Sequence, residues 1–176
     1  RSGRMRKEVS NMSKKVAIIM GSDSDLPTVQ KAADTLASLG IGFEIHIYSA
    51  HRTPNEVRDF ALSARKNGFG VIIAAAGMAA HLAGAVAAST TLPVIGIPIK
   101  TAYLGGIDAL LSTVQMPSGI PVATVAIDSA VNAAILSAEI LAVSDDTVAE
   151  RLEKRRDDDM KKVLDKDAAL QAQFNV

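Results

Sequence analysis

V71-I-I-A-A-A-G-M-A-A-H-L-A-G-A-V-A-A-S-T-T-L-P-V-I-G-I-P-I99 contains no charged residue. So long an uncharged run raises the question of a membrane span. Its composition rejects that reading. Gly77, His81, Gly84, Pro93, Gly96 and Pro98 interrupt it, and its middle is rich in alanine rather than leucine. It reads instead as a buried strand at Val71–Ala75, a loop, a small-residue helix near Ala80–Ser89 and a second buried strand at Pro93–Ile99. An alanine-faced helix lets another backbone approach closely, and bulky aromatics are scarce. Some apolar surface is therefore expected to be buried between subunits.

The same alternation extends in both directions. Lys15–Met20 is a β-rich run ending at Gly21. Val29, Ala32, Ala33, Leu36 and Leu39 share one face of a helix over Leu26–Leu39, which Gly40 stops. Phe43–Tyr48 is a second strand. Thr53-Pro54-Asn55-Glu56 has the form of a capping box, with threonine as N-cap and glutamate three positions on. The helix it opens is expected to reach Asn67. Further on, a helix near Leu104–Thr113, a strand at Val122–Ile127 and a helix at Ala130–Val143 complete the series. Strands alternating with helices imply a parallel sheet covered on both faces.

Three segments follow. Residues 14–144 form the α/β domain. Residues 1–13 are basic and polar with no apolar stretch, so they are read as a disordered or cloning-derived arm and not as a secretory signal. Residues 145–176 carry 16 of the chain's 38 formal charges. Within them Val148, Leu152, Met160, Val163 and Leu164 leave apolar faces on a helix running to about Leu164. That helix is either a solvated tail or an arm packing on a neighbouring subunit.

Composition narrows the function. Lysine plus arginine (19) balances aspartate plus glutamate (19), and phosphate-backbone affinity needs a cationic excess, so no nucleic-acid partner is expected. The chain has no cysteine, which excludes disulfides, thiolate catalysis and cysteine-ligated metal centres. Without cysteine or an export segment, a cytoplasmic protein with no membrane association is expected. G-x-G-x-x-G is absent after the first strand, a P-loop is absent, and His46, His51 and His81 lack zinc-hydrolase spacing.

In a doubly wound sheet, ligands bind beyond the carboxyl ends of the strands. The loops there are Gly21–Asp25, Ser49–Thr53, Ala76–Ala80 and Lys100–Gly105. Ser22 and Ser24 can bind an anion at a helix start or simply cap that helix. Arg52 can grip a phosphate through its fork or make a surface ion pair. Asp25 can accept from ribose hydroxyls or serve as a helix-start carboxylate. His51 is the acid/base group of its loop near neutral pH. His81 reads as a core or helix-start histidine, and His46 as a surface strand residue. These residues point to a phosphate-bearing small molecule, histidine chemistry and no bound cofactor.

G21-S-D-S-D25, S49-A-H-R-T-P54, A79-A-H-L82 and Q115-M-P-S-G-I-P-V122 resemble, in order and over about Lys15–Val143, the class I PurE family of N5-carboxyaminoimidazole ribonucleotide mutases. The resemblance implies a three-layer α/β/α, flavodoxin-like fold, a homo-octamer with sites at subunit junctions, and a C-terminal arm laid on a neighbour. It implies a purine-biosynthetic isomerase that moves a carboxyl group from N5 to C4 of the imidazole. The route runs through CO2 and aminoimidazole ribonucleotide, without ATP, metal or biotin. By position, Ser22, Ser49 and Arg52 would hold the 5′-phosphate and Asp25 the ribose. Ser24 and His51 would face the migrating carboxyl group, with His51 as general acid/base, and His81 would shape the site.

Two departures stand out. Where the family reads G-G-A-A-H-L-P-G, this chain reads G77-M-A-A-H-L-A-G84, so Met78 replaces glycine and Ala83 replaces proline. A positive φ at position 78 would make the methionine costly by about 1–2 kcal/mol. Two alternative functions are direct CO2-dependent carboxylation of aminoimidazole ribonucleotide and a non-catalytic nucleotide- or flavin-binding module. Arg52 argues against the first, whose branch resembles S-A-H-K. The second has only Tyr48 and Tyr103 to flank a flavin.

Overall fold

The structure, a computed structural model, describes residues 14–174. The arm expected at residues 1–13 lies outside the described residues. Strands β1 (Lys15–Met20), β2 (Phe43–Ile47), β3 (Phe69–Gly77), β4 (Val94–Ile99) and β5 (Ala123–Thr124) form one parallel sheet in the order β2-β1-β3-β4-β5. Between and after them run α1 (Leu26–Ser38), α2 (Pro54–Ala64), α3 (Leu82–Ala87), α4 (Ile107–Val114), α5 (Ala130–Ala142) and α6 (Asp146–Phe174). The fold is the three-layer, flavodoxin-like α/β/α arrangement with a C-terminal helix.

Period-two alternation divides the strands between two cores. Val16, Ile18, Val71, Ile73, Ile95 and Ile97 face one layer, where they pack with α1, α5 and the start of α6. Ala17, Ile19, Ile72, Ala74 and Val94 face the other, packing with α2 and α3. Both faces are covered, so the central strands read as continuous apolar runs. That is why the uncharged segment 71–99 sits at the middle of the sheet. Its alanines and glycines serve close approach. An added Cβ on Gly96 would run into Thr113 Cγ2 of α4, with Val122 Cγ1 at 3.1 Å and Ala83 Cβ at 3.4 Å.

Several local expectations are corrected. β5 has two residues rather than six. Pro98 in β4 lacks the N–H that a continuing ladder would need. Only single bonds, Val125 N–H to Gly96 O (3.1 Å) and Asp128 N–H to Pro98 O (2.9 Å), hold the chain alongside. The Thr53 capping box does not form. Thr53 is the N-cap residue of α2, but its hydroxyl makes no cap bond. Instead Oγ1 accepts from Ser49 N–H (2.9 Å) and donates to Ser49 O (3.1 Å). His46 is half-buried, stacked on Tyr48 with ring centroids 5.2 Å apart and tilted against Phe60.

The C-terminal helix is longer than expected. At 29 residues it spans about 43 Å. Its first turns dock on the domain through buried Val148 and through Arg151, whose Nη1 donates to Leu39 O at 2.9 Å. Gly40, at φ +66, ends α1 and leaves room for that guanidinium. From residue 157 onward every described residue is exposed, including Met160, Val163, Leu164, Leu170 and Phe174.

The close approach at Gly96 is directly measurable. Gly96→Ala is expected to cost about 1–3 kcal/mol through overpacking against α4, read as a lower denaturant midpoint at unchanged slope. An unchanged midpoint would mean that α4 shifts away freely.

Candidate active site

The strands end level, and this builds the site. Met20 is in register with Ile47 on one side and Ala75 on the other, while Gly77 aligns with Ile99. The sheet reverses its winding between β1 and β3, the place where such sheets leave a crevice. Loops after β1, β2, β3 and β4 therefore surround one cleft of about 660 Å3. Ser22, Ser24, Asp25, Ser49, His51, Arg52 and His81 all line it.

Each loop is shaped by its own short-range bonds. Ser22 caps the single 3-10 turn Asp23–Asp25, its Oγ accepting from Ser24 N–H at 3.3 Å and from Ser24 Oγ–H at 3.0 Å. The capping reading of Ser22 therefore holds, and its hydroxyl still faces the cleft. Asp25 precedes α1 but makes no side-chain cap bond. The residue is only 8% exposed. Burial raises its pKa above the ordinary aspartate range, against the lowering effect of bonds from Ser22 and Ser24, while the Asp23 charge adds to the rise.

The second loop folds around Ser49. Thr53 N–H donates to Ser49 O (2.8 Å), and Arg52 N–H donates to Ser49 Oγ (3.2 Å). This knot exposes His51 and Arg52 at the rim. Arg52 then joins the two loops: Nη2 donates to Gly21 O at 3.0 Å while Nε approaches Ser49 Oγ at 3.4 Å. Among the described residues Arg52 forms none of the surface ion pairs that the sequence left open. Its guanidinium, the Ser22 and Ser49 hydroxyls and the start of α1 meet at one corner of the cleft, groups of the kind that can bind an anion.

On the third loop His81 is the N-cap residue of α3, exposed rather than part of the core, and makes no side-chain cap bond. Its ring lies over Gly84, where an added Cβ would approach His81 Cε1 to 2.7 Å. Met78 holds φ +59 and is 58% exposed on the cleft wall. The left-handed backbone expected to be costly for methionine is present, within a loop tightened by Ala80 N–H to Met78 O and His81 N–H to Ala79 O, both 2.8 Å.

Profile and structural comparisons agree with this geometry. The AIR carboxylase family profile matches residues 15–162. This chain belongs to that family. Within it, the chain is similar to the N5-carboxyaminoimidazole ribonucleotide mutase of Thermotoga maritima, 51% identical over 89% of this chain and 92% of that one. It is 56% identical to the mutase of Brucella melitensis over 82% of this chain and 91% of its relative. The crystal structure of Treponema denticola PurE superposes with a TM-score of 0.80 at 30% identity, covering 90% of this chain and 99% of that one.

The Gln115–Val122 segment begins near the cleft, where Met116 Sδ lies 3.0 Å from the position of a Cβ on Gly84, beside His81, and then leads away from it. Gln115–Val122 follows α4 toward the opposite rim, where Gly119, Ile120 and Pro121 line a separate hollow of about 870 Å3. That hollow is larger, but its cation, Arg65, is tied to Thr91 (3.0 Å to Oγ1), and no histidine or carboxylate lines it. Histidine and carboxylate side chains line only the smaller of these two hollows. Two lining residues, Lys100 and Thr101, had no role in the sequence reading. Their position directly after β4 at the carboxyl edge was the available signal.

Two substitutions test the site's strain. Met78→Gly relieves about 1–2 kcal/mol of backbone cost but returns about 0.4–1 kcal/mol of chain entropy to the unfolded state. A net stabilisation of up to about 1 kcal/mol is expected, with turnover kept or raised; a large loss of turnover would show that the loop has adapted to methionine. For Asp25 the folded-state pKa is raised, so the folded state holds the proton more tightly. Stability is then lost as pH rises from the ordinary carboxylate range through the raised value. Asp25→Asn is expected to melt higher than wild type at neutral pH, the gap closing in acid, while binding nucleotide about tenfold more weakly.

Proposed function

We propose that this chain is an N5-carboxyaminoimidazole ribonucleotide mutase of purine biosynthesis. The observation that carries the reading is the Arg52 bridge, because Arg52, Ser22, Ser49 and His51 then line one cleft. Ser22, Ser49 and Arg52 hold the 5′-phosphate. Asp25, buried and free of capping duty, accepts from the ribose hydroxyls. Ser24 and His51 face the migrating carboxyl group, and His81 shapes the wall beside them.

The chemistry balances with these groups. Cleavage of the carbamate C–N bond returns its electron pair to N5, which takes a proton, and releases CO2. C4 of the electron-rich imidazole attacks the CO2 carbon, a C4–C bond forms, and C4 gives up its proton. His51 serves as acid in the first half and base in the second, so the enzyme ends as it began. CO2 is a weak electrophile that diffuses away, so the walls have to hold it next to C4. Ala76, Gly77 and Ala79 supply a small-residue wall of that kind.

We further assign the protein to the cytoplasm and to a homo-octamer. Support for assembly lies in apolar surface that the single chain leaves uncovered. On α4, Ile107, Leu111 and Val114 are 53%, 52% and 44% exposed. On α6 the apolar residues beyond position 157 are all exposed among the described residues, which fits an arm laid on a neighbour.

His51→Asn is expected to keep nucleotide affinity within about tenfold, or about 1.4 kcal/mol, while turnover of freshly generated carbamate nearly vanishes. Retained turnover would remove His51 from its role. Wild-type enzyme should convert the carbamate without added bicarbonate. Bicarbonate-dependent carboxylation with no use of the carbamate would overturn the mutase reading in favour of direct carboxylation.

A further inference from the structure

We propose that Lys100, with the Thr101 hydroxyl beside it, forms a second anion subsite in the cleft and takes the carboxylate on the heterocycle. This rests on the mutase reading above. Arg52 and Lys100 are the two lysine or arginine residues lining the cleft, and neither forms an ion pair with a carboxylate among the described residues. Arg52 is committed to the β1/β2 end through Gly21 O and Ser49 Oγ. The substrate carries anionic groups at both ends, a phosphate and a carboxylate. One cation at one end leaves the other charge uncompensated inside a partly desolvated cleft.

The β4 end is built to hold that charge. Lys100 N–H donates to Asp128 Oδ1 at 2.9 Å, and Asp128 holds φ +58, a backbone conformation that side-chain-bearing residues seldom adopt. From the other side Gly106, at φ +93, packs so close that an added Cβ would lie 3.1 Å from Lys100 Cα. The backbone that carries the ammonium is therefore fixed by two left-handed residues. Thr101 Oγ1 is buried with no hydrogen-bond partner among the described residues, an unsatisfied hydroxyl next to Lys100 in sequence that a small turn of the side chain toward the cleft would pair with a bound carboxylate. Its methyl group occupies the space left by the missing side chain of Gly77, with Cγ2 3.0 Å from where a Cβ would be.

The charge balance gives this subsite a signature. The carbamate and the C4 carboxylate are both anions, so Lys100 stabilises substrate and product alike. Neutral CO2 between them gains nothing from it. Lys100 therefore contributes binding and does not speed C–N cleavage.

Calorimetric titration of wild type and Lys100→Met with the 4-carboxylated and the uncarboxylated aminoimidazole ribonucleotides tests this. Lys100→Met should bind the carboxylated nucleotide about tenfold more weakly and the uncarboxylated one within about twofold of wild type. KM for the carbamate should rise while kcat does not fall, and Lys100→Arg should recover most of the loss. Equal losses on both nucleotides, or no loss on either, would overturn the subsite. Failure of the mutase reading itself would look different, since wild type would then leave the carbamate unconverted whatever Lys100→Met does to nucleotide binding.

Discussion

A guanidinium reaching across two strands holds the site together. Arg52 stands after β2, Gly21 after β1, and the 3.0 Å bond between them makes two turns into one surface. The bond depends on the parallel sheet ending level at Met20 and Ile47, and on the Ser49–Thr53 knot that sets where Arg52 leaves the chain. It also explains why the threonine of S-A-H-R-T-P does not cap its helix. Were Thr53 Oγ1 turned to the α2 N-terminus, the loop carrying His51 and Arg52 would lose two of its internal bonds. A polar side chain can satisfy the helix or the loop, and here the loop keeps it.

Backbone strain is concentrated around this same cleft. Among the described residues, Met78 and Asp128 are the non-glycine positions with positive φ, and both sit beyond the carboxyl ends of the strands. Asp128 has a compensation, because its carboxylate bonds the Lys100 amide and aspartate tolerates the left-handed region better than most residues. Met78 has no such bond from its side chain and remains largely exposed. A strained residue persists only where the surrounding structure over-determines it. The two short-range bonds of the Met78–His81 loop supply that here.

Much of the fold was legible in the sequence because periodicity and punctuation agree. The β-rich apolar run of Lys15–Met20, the helical face of Val29 to Leu36 and the stop at Gly40 match the elements observed, while α2 ends at Ala64, short of the expected Asn67. The site was legible for a related reason, since a parallel sheet sends the loops after its strands to one edge. Features set by tertiary context were less legible. The shortness of β5 follows from Pro98 on the neighbouring strand, which the local run Val122–Ile127 does not reveal. The stacking of His46 on Tyr48 needs Phe60 from α2. Lys100 was missed because a lone lysine in a loop has no spacing to mark it; only the cleft shows that it faces the same space as Arg52.

The two rims of the sheet differ in composition. At the carboxyl rim, histidines, hydroxyls and both cations of the cleft gather around Asp25. At the opposite rim, Gln115–Val122 leads into β5 beside an apolar hollow bearing little but Arg65 and hydroxyls. The Q-M-P-S-G-I-P-V motif touches the His81 side of the cleft only through Met116, packed against Gly84, and none of its residues lines the cleft within this chain. It is readily explained if neighbouring copies meet at the opposite rim, alongside the uncovered faces of α4 and α6. On that view the uncharged run 71–99 serves both rims. Its alanines and glycines let the layers close tightly around β3 and β4, and that tight spacing leaves β4 to deliver Lys100 and Thr101 into the cleft at one end and Pro93 to the hollow at the other.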